Sequence, residues 1–291
     1  MIRAIFTSLI VVSLLFSSCS SDSATSNEVS NTEEIAEEAI EDFENYRLKL
    51  NLIDSHVLEF PSPVELAANY KNTGMKFIPG ITNPAQNMFK YETQTKKALN
   101  FGVYSADLSY CILNDMGQCA SEYLVAMQAM SHDIGLSEIL KYELVATGFS
   151  ESLGNRDSLV EILNSIQSDL DATLRKNGIQ DKAILFYTGA WVESAFIAFN
   201  AQKTYTNAID SATLANITDQ LKMLEGINYE LSIMENKPTE VKELERRLLE
   251  FENYSASIRI VEKNDSIILN PADLIEIRAT IEDIREYITV Q

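Results

Sequence analysis

Apolar residues recur at alternating steps of three and four along much of this 291-residue chain. The final segment shows the pattern most simply, at Leu274, Ile277, Ile281, Ile284 and Ile288. Because an α-helix turns once in about 3.6 residues, this spacing places all of these side chains on one face. Asn270 precedes the segment as a helix cap, and Pro271 occupies the first helical position. The pattern predicts a helix that buries one face against other helices.

Similar stripes occur through the rest of the chain. One-sided stripes lie at about 33–53, 156–176, 208–234 and 238–256. Residues 95–113 and 181–202 are apolar or small on most sides, as expected of central helices without a solvent face. Shorter helices are expected at about 63–72, 118–131 and 136–147. The sequence therefore predicts an all-α fold, a compact bundle of about eight to ten helices.

Two segments depart from the helical pattern. Residues 54–86 contain four of the six prolines and are predicted to form the longest loop, interrupted by the short helix at 63–72. In residues 257–269, Ile258 and Ile260 alternate with polar residues, Asn264 and Asp265 suggest a turn, and an apolar run follows. This alternation predicts a small two-stranded β-ribbon.

The first eighteen residues have the pattern of a secretory signal peptide. Arg3 is the only charged residue before Asp22, and residues 5–16 form a short apolar run. A membrane-spanning helix needs about 20 apolar residues, so this run is too short to cross a bilayer. A buried N-terminal helix is the alternative, but the run lacks an amphipathic period. We expect residues 1–18 to be removed during export.

The end of this leader, residues 14–19, reads LLFSSC and resembles the lipobox of bacterial lipoproteins, with Phe16 where leucine is usual. The resemblance implies that Cys19 carries a diacylglyceryl group and fatty acid such as palmitate, and becomes the mature N-terminus. Several acyl chains on one residue suffice for stable anchoring. Ser20 follows, whereas aspartate there would resemble an inner-membrane retention signal. The resemblance therefore implies anchoring in the outer membrane of a Gram-negative cell envelope, on its periplasmic or surface face.

The polar residues after Cys19 cannot bury enough apolar surface to fold. We therefore predict that residues 19–33 form a disordered tether and that 34–291 form a single helical domain. The formal net charge of −20 excludes nucleic acid as a partner and leaves the lipid as the contact with the membrane. The simplest interpretation of the charge is that it keeps a secreted protein soluble.

With Cys19 acylated, Cys111 and Cys119 remain as a pair in a compartment that permits disulfides. A turn-like sequence, 114–117, separates them, so we predict a disulfide across a helix–turn–helix corner. Free buried thiols are the alternative. The chain has only two histidines, and structural zinc needs four ligands, so neither a metal nor another cofactor is expected.

Two acids lie on the predicted central helices, and a buried carboxylate is costly unless it is paired or hydrogen-bonded. Together with nearby aromatic residues they form a candidate ligand pocket of Tyr104, Asp107, Tyr110, Trp191 and Glu193. The functional interpretation is a polar cleft that holds a small ligand, in which one carboxyl could act as a general acid. The alternative is a structural network that fixes helix register.

The same two helices share a short pattern in which Gly102 and Gly189 precede an aromatic residue and an acid. A duplicated helical hairpin would explain it, with the glycines allowing close helix approach, and chance similarity is the alternative.

Catalytic motifs are missing from the sequence. The neighbouring Ser131, His132 and Asp133 do not make a triad, because a triad is defined by its geometry in space. No catalytic residue is therefore predicted. We expect a non-enzymatic envelope lipoprotein that binds a protein or small molecule; the alternative is a hydrolase-like enzyme that uses Asp107 or Glu193.

Overall fold

The computed structural model describes residues 77–137, 140, 148–176, 180–201, 208–209, 211–258, 260–263 and 266–290. The predicted signal peptide, the lipidated Cys19 and the tether lie outside these residues. The helices predicted at 33–53 and 63–72 also lie outside them, as does most of the helix predicted at 136–147.

The prediction of an all-α fold is confirmed. The described residues contain seven α-helices, namely α1 (Gln94–Leu113), α2 (Gly117–Ile134), α3 (Arg156–Lys176), α4 (Gln180–Ala201), α5 (Ser211–Ile233), α6 (Thr239–Ser255) and α7 (Pro271–Thr289). Short 3-10 helices occur at Ala85–Lys90 and Phe149–Ser152. Asn270 caps α7 by accepting a hydrogen bond from the amide of Ala272, and Gly135, with a φ of 82°, ends α2 in the left-handed conformation.

The helices α1 and α4 form the centre of the bundle, and they cross in backbone contact. A Cβ atom added to Gly102 would lie 1.9 Å from the carbonyl oxygen of Phe186, and one added to Gly189 would lie 1.9 Å from that of Leu99. Only glycine leaves room for two helix backbones at this distance. The expectation that these two glycines allow close helix approach is therefore confirmed.

The outer helices cover this central pair with their predicted apolar stripes. On α7, Ile277, Ile281, Ile284 and Ile288 are at most 2% exposed. Helix α7 packs on α4, α6 and α1, while α5 packs on α4 and α6. Helix α2 packs on α1, and α3 packs on both central helices. The stripes thus face a single hydrophobic core that contains residues from every helix.

The predicted β-ribbon is present as two antiparallel strands, β2 (Ile260–Lys263) and β3 (Ser266–Leu269), which pair from Ile260 opposite Leu269 to Lys263 opposite Ser266. A third strand, β1 (Ala208–Ile209), pairs with the other edge of β3. We expected a helix from 208, whereas α5 begins at Ser211. A strand of two residues is too short to produce a period, so sequence pattern could not reveal β1.

The corner between α1 and α2 carries a disulfide between Cys111 and Cys119, whose Cα atoms are 5.8 Å apart. Asp115 makes the turn possible by adopting a left-handed φ of 60°.

Within the described ranges, no helix is both long and apolar enough to cross a membrane.

Candidate functional site

The crossing of α1 and α4 brings Asp107 and Glu193 together. Each acid lies about one helical turn beyond the glycine of its own helix, so the close backbone contact leaves the two carboxyl groups adjacent. The charge of Glu193 acts on Asp107 strongly enough to raise the pKa of its carboxyl, as expected of close neighbours. Both residues are 0% exposed. The two candidate acids therefore belong to one enclosed cluster.

Arg285 of α7 supplies the positive charge of this cluster. Its Nε lies 2.6 Å from Oε2 of Glu193 and its Nη2 lies 2.8 Å from Oε1, which is the bidentate geometry that suits a guanidinium and a carboxylate. The guanidinium carbon lies 4.0 Å from the centre of the Phe196 ring. The Arg285 side chain is 17% exposed, so this ion pair is largely removed from water.

Residues 77–91, here called the covering segment, lie across the cluster and are held by side chains of the helices. The amide of Asn83 donates to Oδ2 of Asp107 at 3.2 Å, while the hydroxyl of Tyr123 donates to the carbonyl of Asn83 at 2.9 Å. The hydroxyl of Tyr104 donates to the carbonyls of Pro84 and Ala85 at 3.1 and 3.2 Å. These bonds satisfy backbone groups of a loop that has few partners of its own.

Two more tyrosines order the covering segment, Tyr110 of α1 from outside it and Tyr91 from within it. The amide of Ile78 donates to the hydroxyl of Tyr110 at 2.9 Å, and the rings of Phe77 and Tyr110 stack with centres 5.4 Å apart. Within the segment itself, the side-chain amide of Asn83 donates to the hydroxyl of Tyr91 at 2.8 Å. Only Asn83 and Tyr91 of this segment are buried. Hydrogen bonds, rather than extensive apolar burial, therefore connect it to the helices.

The enclosure changes the acidity of these groups. Burial raises the pKa of Asp107 well above its ordinary value, and the neighbouring charge of Glu193 raises it further, while Arg285 acts in the opposite direction. Burial also raises the pKa of Tyr91, Tyr104 and Tyr123. For Arg285, burial is the largest single influence and lowers the pKa, but the charge and hydrogen bonds of Glu193, together with the charge of Asp107, raise the pKa overall.

The structure brings together three of the five residues predicted to form the pocket: Tyr104, Asp107 and Glu193. Tyr110 lies next to them on α1 and holds the beginning of the covering segment. Trp191 contacts other elements, because its Nε1 donates to the carbonyl of Gln220 on α5 at 3.1 Å and its ring lies 6.3 Å from that of Phe251 on α6. Residues two apart on a helix point in very different directions, which explains why Trp191 and Glu193 do not share an environment.

Sequence reasoning missed four members of the cluster, namely Asn83, Tyr91, Tyr123 and Arg285. The sequence contained one signal for Arg285. This residue directly follows Ile284 of the apolar stripe of α7, so it lies near the buried face of the helix. A buried acid needs a cation nearby, and Arg285 could supply it. Asn83 carried no such signal, because its role depends on its backbone amide.

The other polar candidates do not form a catalytic site. The hydroxyl of Ser131 donates to the carbonyl of Gln128, and the His132 side chain is 83% exposed with its Nδ1 3.5 Å from Oδ1 of Asp133. This arrangement lacks the hydroxyl-to-imidazole contact of a triad. In the part of the chain that the structure describes, no group of three or more His, Cys, Asp or Glu residues could hold a metal ion.

A groove on the surface lies between α6, α7 and the beginning of α1. Its volume is about 500 Å³, and it is lined by Lys96, Glu240, Arg247, Asp283, Glu286, Tyr287 and Val290. Lys96 Nζ lies 4.7 Å and the guanidinium carbon of Arg247 lies 4.8 Å from the centre of the Tyr287 ring. The groove therefore combines an aromatic ring with both signs of charge and is open to solvent.

Comparison of the chain with protein-family models, with curated proteins and with solved structures gives no match.

Proposed function

We propose that this protein is a lipoprotein of the Gram-negative outer membrane whose helical domain binds a protein partner without catalysing a reaction. The main support is the enclosure of Asp107 and Glu193, which are the best candidates for acid–base chemistry and are both 0% exposed. An acid catalyst must come within hydrogen-bonding distance of its substrate. Glu193 instead bonds to Arg285, and Asp107 accepts a hydrogen bond from the covering segment.

The groove around Tyr287 is the proposed contact surface for the partner. Tyrosine and arginine are enriched in protein interfaces, because they combine a large apolar area with directed hydrogen bonds. Val290 adds an exposed apolar side chain next to them. The carboxylates of Glu240, Asp283 and Glu286 outnumber the cations of the groove, so we expect a partner surface with basic residues.

The anchor is tested by fractionating cells that express the full chain or its variants. Cys19→Ala should leave the membrane and appear in the soluble fraction, because it lacks the residue that would be acylated. Ser20→Asp provides the matched control: it keeps the cysteine and should move the protein from the outer to the inner membrane. Unchanged outer-membrane association of Cys19→Ala would contradict the anchor.

The partner is tested by placing a photo-crosslinking amino acid at Glu286 in the groove. The same substitution at Glu161, an exposed position of α3 outside the groove, is the control. In intact cells we expect one defined adduct from position 286 and none from 161. Equal labelling at both positions would refute the groove as the contact surface.

Native mass spectrometry of the full chain is a separate test. An additional mass from a bound small molecule would indicate that the domain binds a small ligand and would contradict the proposed protein partner.

A further inference from the structure

The hydrogen bonds of the buried cluster leave one atom without a donor. Both oxygens of Glu193 accept from Arg285, and Oδ2 of Asp107 accepts from the amide of Asn83. Oδ1 of Asp107 is buried and has no hydrogen-bond partner that donates to it within the described residues. A carboxylate only accepts hydrogen bonds, so two ionised carboxyls cannot bond to each other. A proton on one of these two neighbouring acids is therefore needed before either can donate to the other.

The charges of the cluster indicate which acid carries this proton. Glu193 makes two charge-assisted bonds to Arg285 and is best ionised, whereas Asp107 has only one backbone donor. With both acids ionised, the enclosed cluster would carry an uncompensated negative charge, which is costly away from water. A proton on Oδ1 of Asp107 removes that charge and gives the unpartnered atom a hydrogen bond to Glu193.

We infer that Asp107 is a neutral carboxylic acid that donates its proton to Glu193, and that this proton makes closure of the covering segment sensitive to pH. The inference does not depend on the proposed anchor or partner. The charged and titratable groups that face Asp107 are Glu193 of α4, Arg285 of α7, Tyr104 of its own helix, Tyr123 of α2 and Tyr91 of the covering segment.

These neighbours leave Asp107 as the group of the cluster whose ionisation responds to pH above its ordinary pKa. The pKa of each phenol is raised from 10.0 by burial, so the tyrosines stay neutral below that value. The pKa of Arg285 is also raised, so its charge stays constant. The pKa of Asp107 is raised in the same enclosure from an ordinary value of 3.8. Opening of the covering segment would hydrate Asp107 and return its pKa towards that value.

The sign of the effect follows from proton binding. The closed form holds a proton that the open form releases, so closure is fully favoured below the ordinary pKa of Asp107 and weakens as pH rises. Between the ordinary and the raised pKa, the opening constant should increase about tenfold per pH unit for one proton. Above the raised pKa, both forms are ionised and the opening constant becomes independent of pH.

Local opening of this kind fits the contacts of the covering segment. Only two of its residues are buried, and Phe89 is 81% exposed on its outer side. Segments with few buried apolar contacts open at lower free energy than the core of a domain. The Asn83 amide reports the opening directly, because its hydrogen is bonded to Oδ2 of Asp107.

The test is amide hydrogen exchange of the full chain in mild detergent, with protection factors used to correct for the intrinsic effect of pH on exchange. In the wild type, the protection of Asn83 should fall about tenfold per pH unit above about pH 4. Asp107→Asn keeps the shape and a donor towards Glu193 but cannot titrate, so its protection should not depend on pH. Asp157→Asn, at a side chain that is 87% exposed, should behave as the wild type.

Constant protection of Asn83 in the wild type, or the same dependence in Asp107→Asn, would overturn the inference. A second measurement covers the case in which Asp107→Asn fails to fold. The wild-type chain, labelled with ¹³C at its aspartate carboxyls, should show a label-shifted infrared band of a protonated acid that persists at a pH at which the ordinary aspartates have lost their protons. Absence of the band would show that Asp107 is ionised and would refute the proposal.

Discussion

Replacement of Arg285 by methionine tests whether the buried cluster stabilises the domain. Methionine keeps much of the side-chain volume but removes the cation that compensates Glu193. Loss of one partner from a buried ion pair costs about 3–5 kcal/mol, because the other charge stays enclosed. Arg285 is 17% exposed, so water can enter the vacated space, and we expect the lower end, about 3 kcal/mol.

Urea unfolding monitored by circular dichroism measures this effect. With a slope of about 3 kcal/mol per molar urea, the midpoint should fall by about 1 M. Arg246→Met is the matched control, because Arg246 is half-exposed and pairs with Glu243 and Glu250 on the surface of α6. Its midpoint should remain close to that of the wild type, since exposed ion pairs contribute little.

The double variant Arg285→Met/Glu193→Gln separates the charge from the packing. It removes both members of the pair, so no uncompensated charge is left in the cluster. It should be more stable than Arg285→Met alone, with a coupling of about 1–3 kcal/mol. If Arg285→Met loses less than about 1 kcal/mol, or if the double variant is the less stable of the two, the reasoning about the buried charge is wrong.

Three further predictions concern other parts of the fold. Gly102→Ala should destabilise the domain by at least about 2 kcal/mol in thermal unfolding, because the added Cβ would overlap a backbone carbonyl of α4. Gly154→Ala is the control and should have little effect, because a Cβ added there has no heavy atom within 4 Å. Tyr104→Phe should cost about 1 kcal/mol and increase exchange of the covering segment, whose carbonyls would lose a donor; unchanged exchange would contradict this role. In the purified protein, Cys111 and Cys119 should react with a thiol reagent only after reduction, and immediate labelling of both would refute the bond.

The helices could be predicted from the sequence because each depends on a local period. The stripe from Ile277 to Ile288 is buried as its spacing predicts, and Gly135 ends α2 where a left-handed residue is needed. The pairing of Cys111 with Cys119 could also be predicted, since the two are eight positions apart in the sequence with one turn between them. In these cases the residues that determine the structure lie next to each other in the chain.

The composition of the cluster could be predicted only in part. Asp107 and Glu193 were recognisable as acids on apolar helices, but Arg285 is 92 residues from Glu193 and no period links the two. The covering segment was expected to be part of a loop, and its attachment depends on side chains of α1, α2 and α7 that contact its backbone. Such contacts arise from the packing of whole helices, and a single sequence does not encode them as a pattern.

The bond between Arg285 and Glu193 has a consequence for the order in which the domain can fold. Asp107 and Glu193 leave the ribosome before Arg285, which is synthesised 92 residues after its partner. Until α7 is made, closing the contact between α1 and α4 would enclose two acids without a cation. Both acids would then have to take up protons or remain in water, so the crossing of α1 and α4 is unfavourable without α7. Docking of α7 is therefore expected to accompany closure of the central crossing when the chain folds.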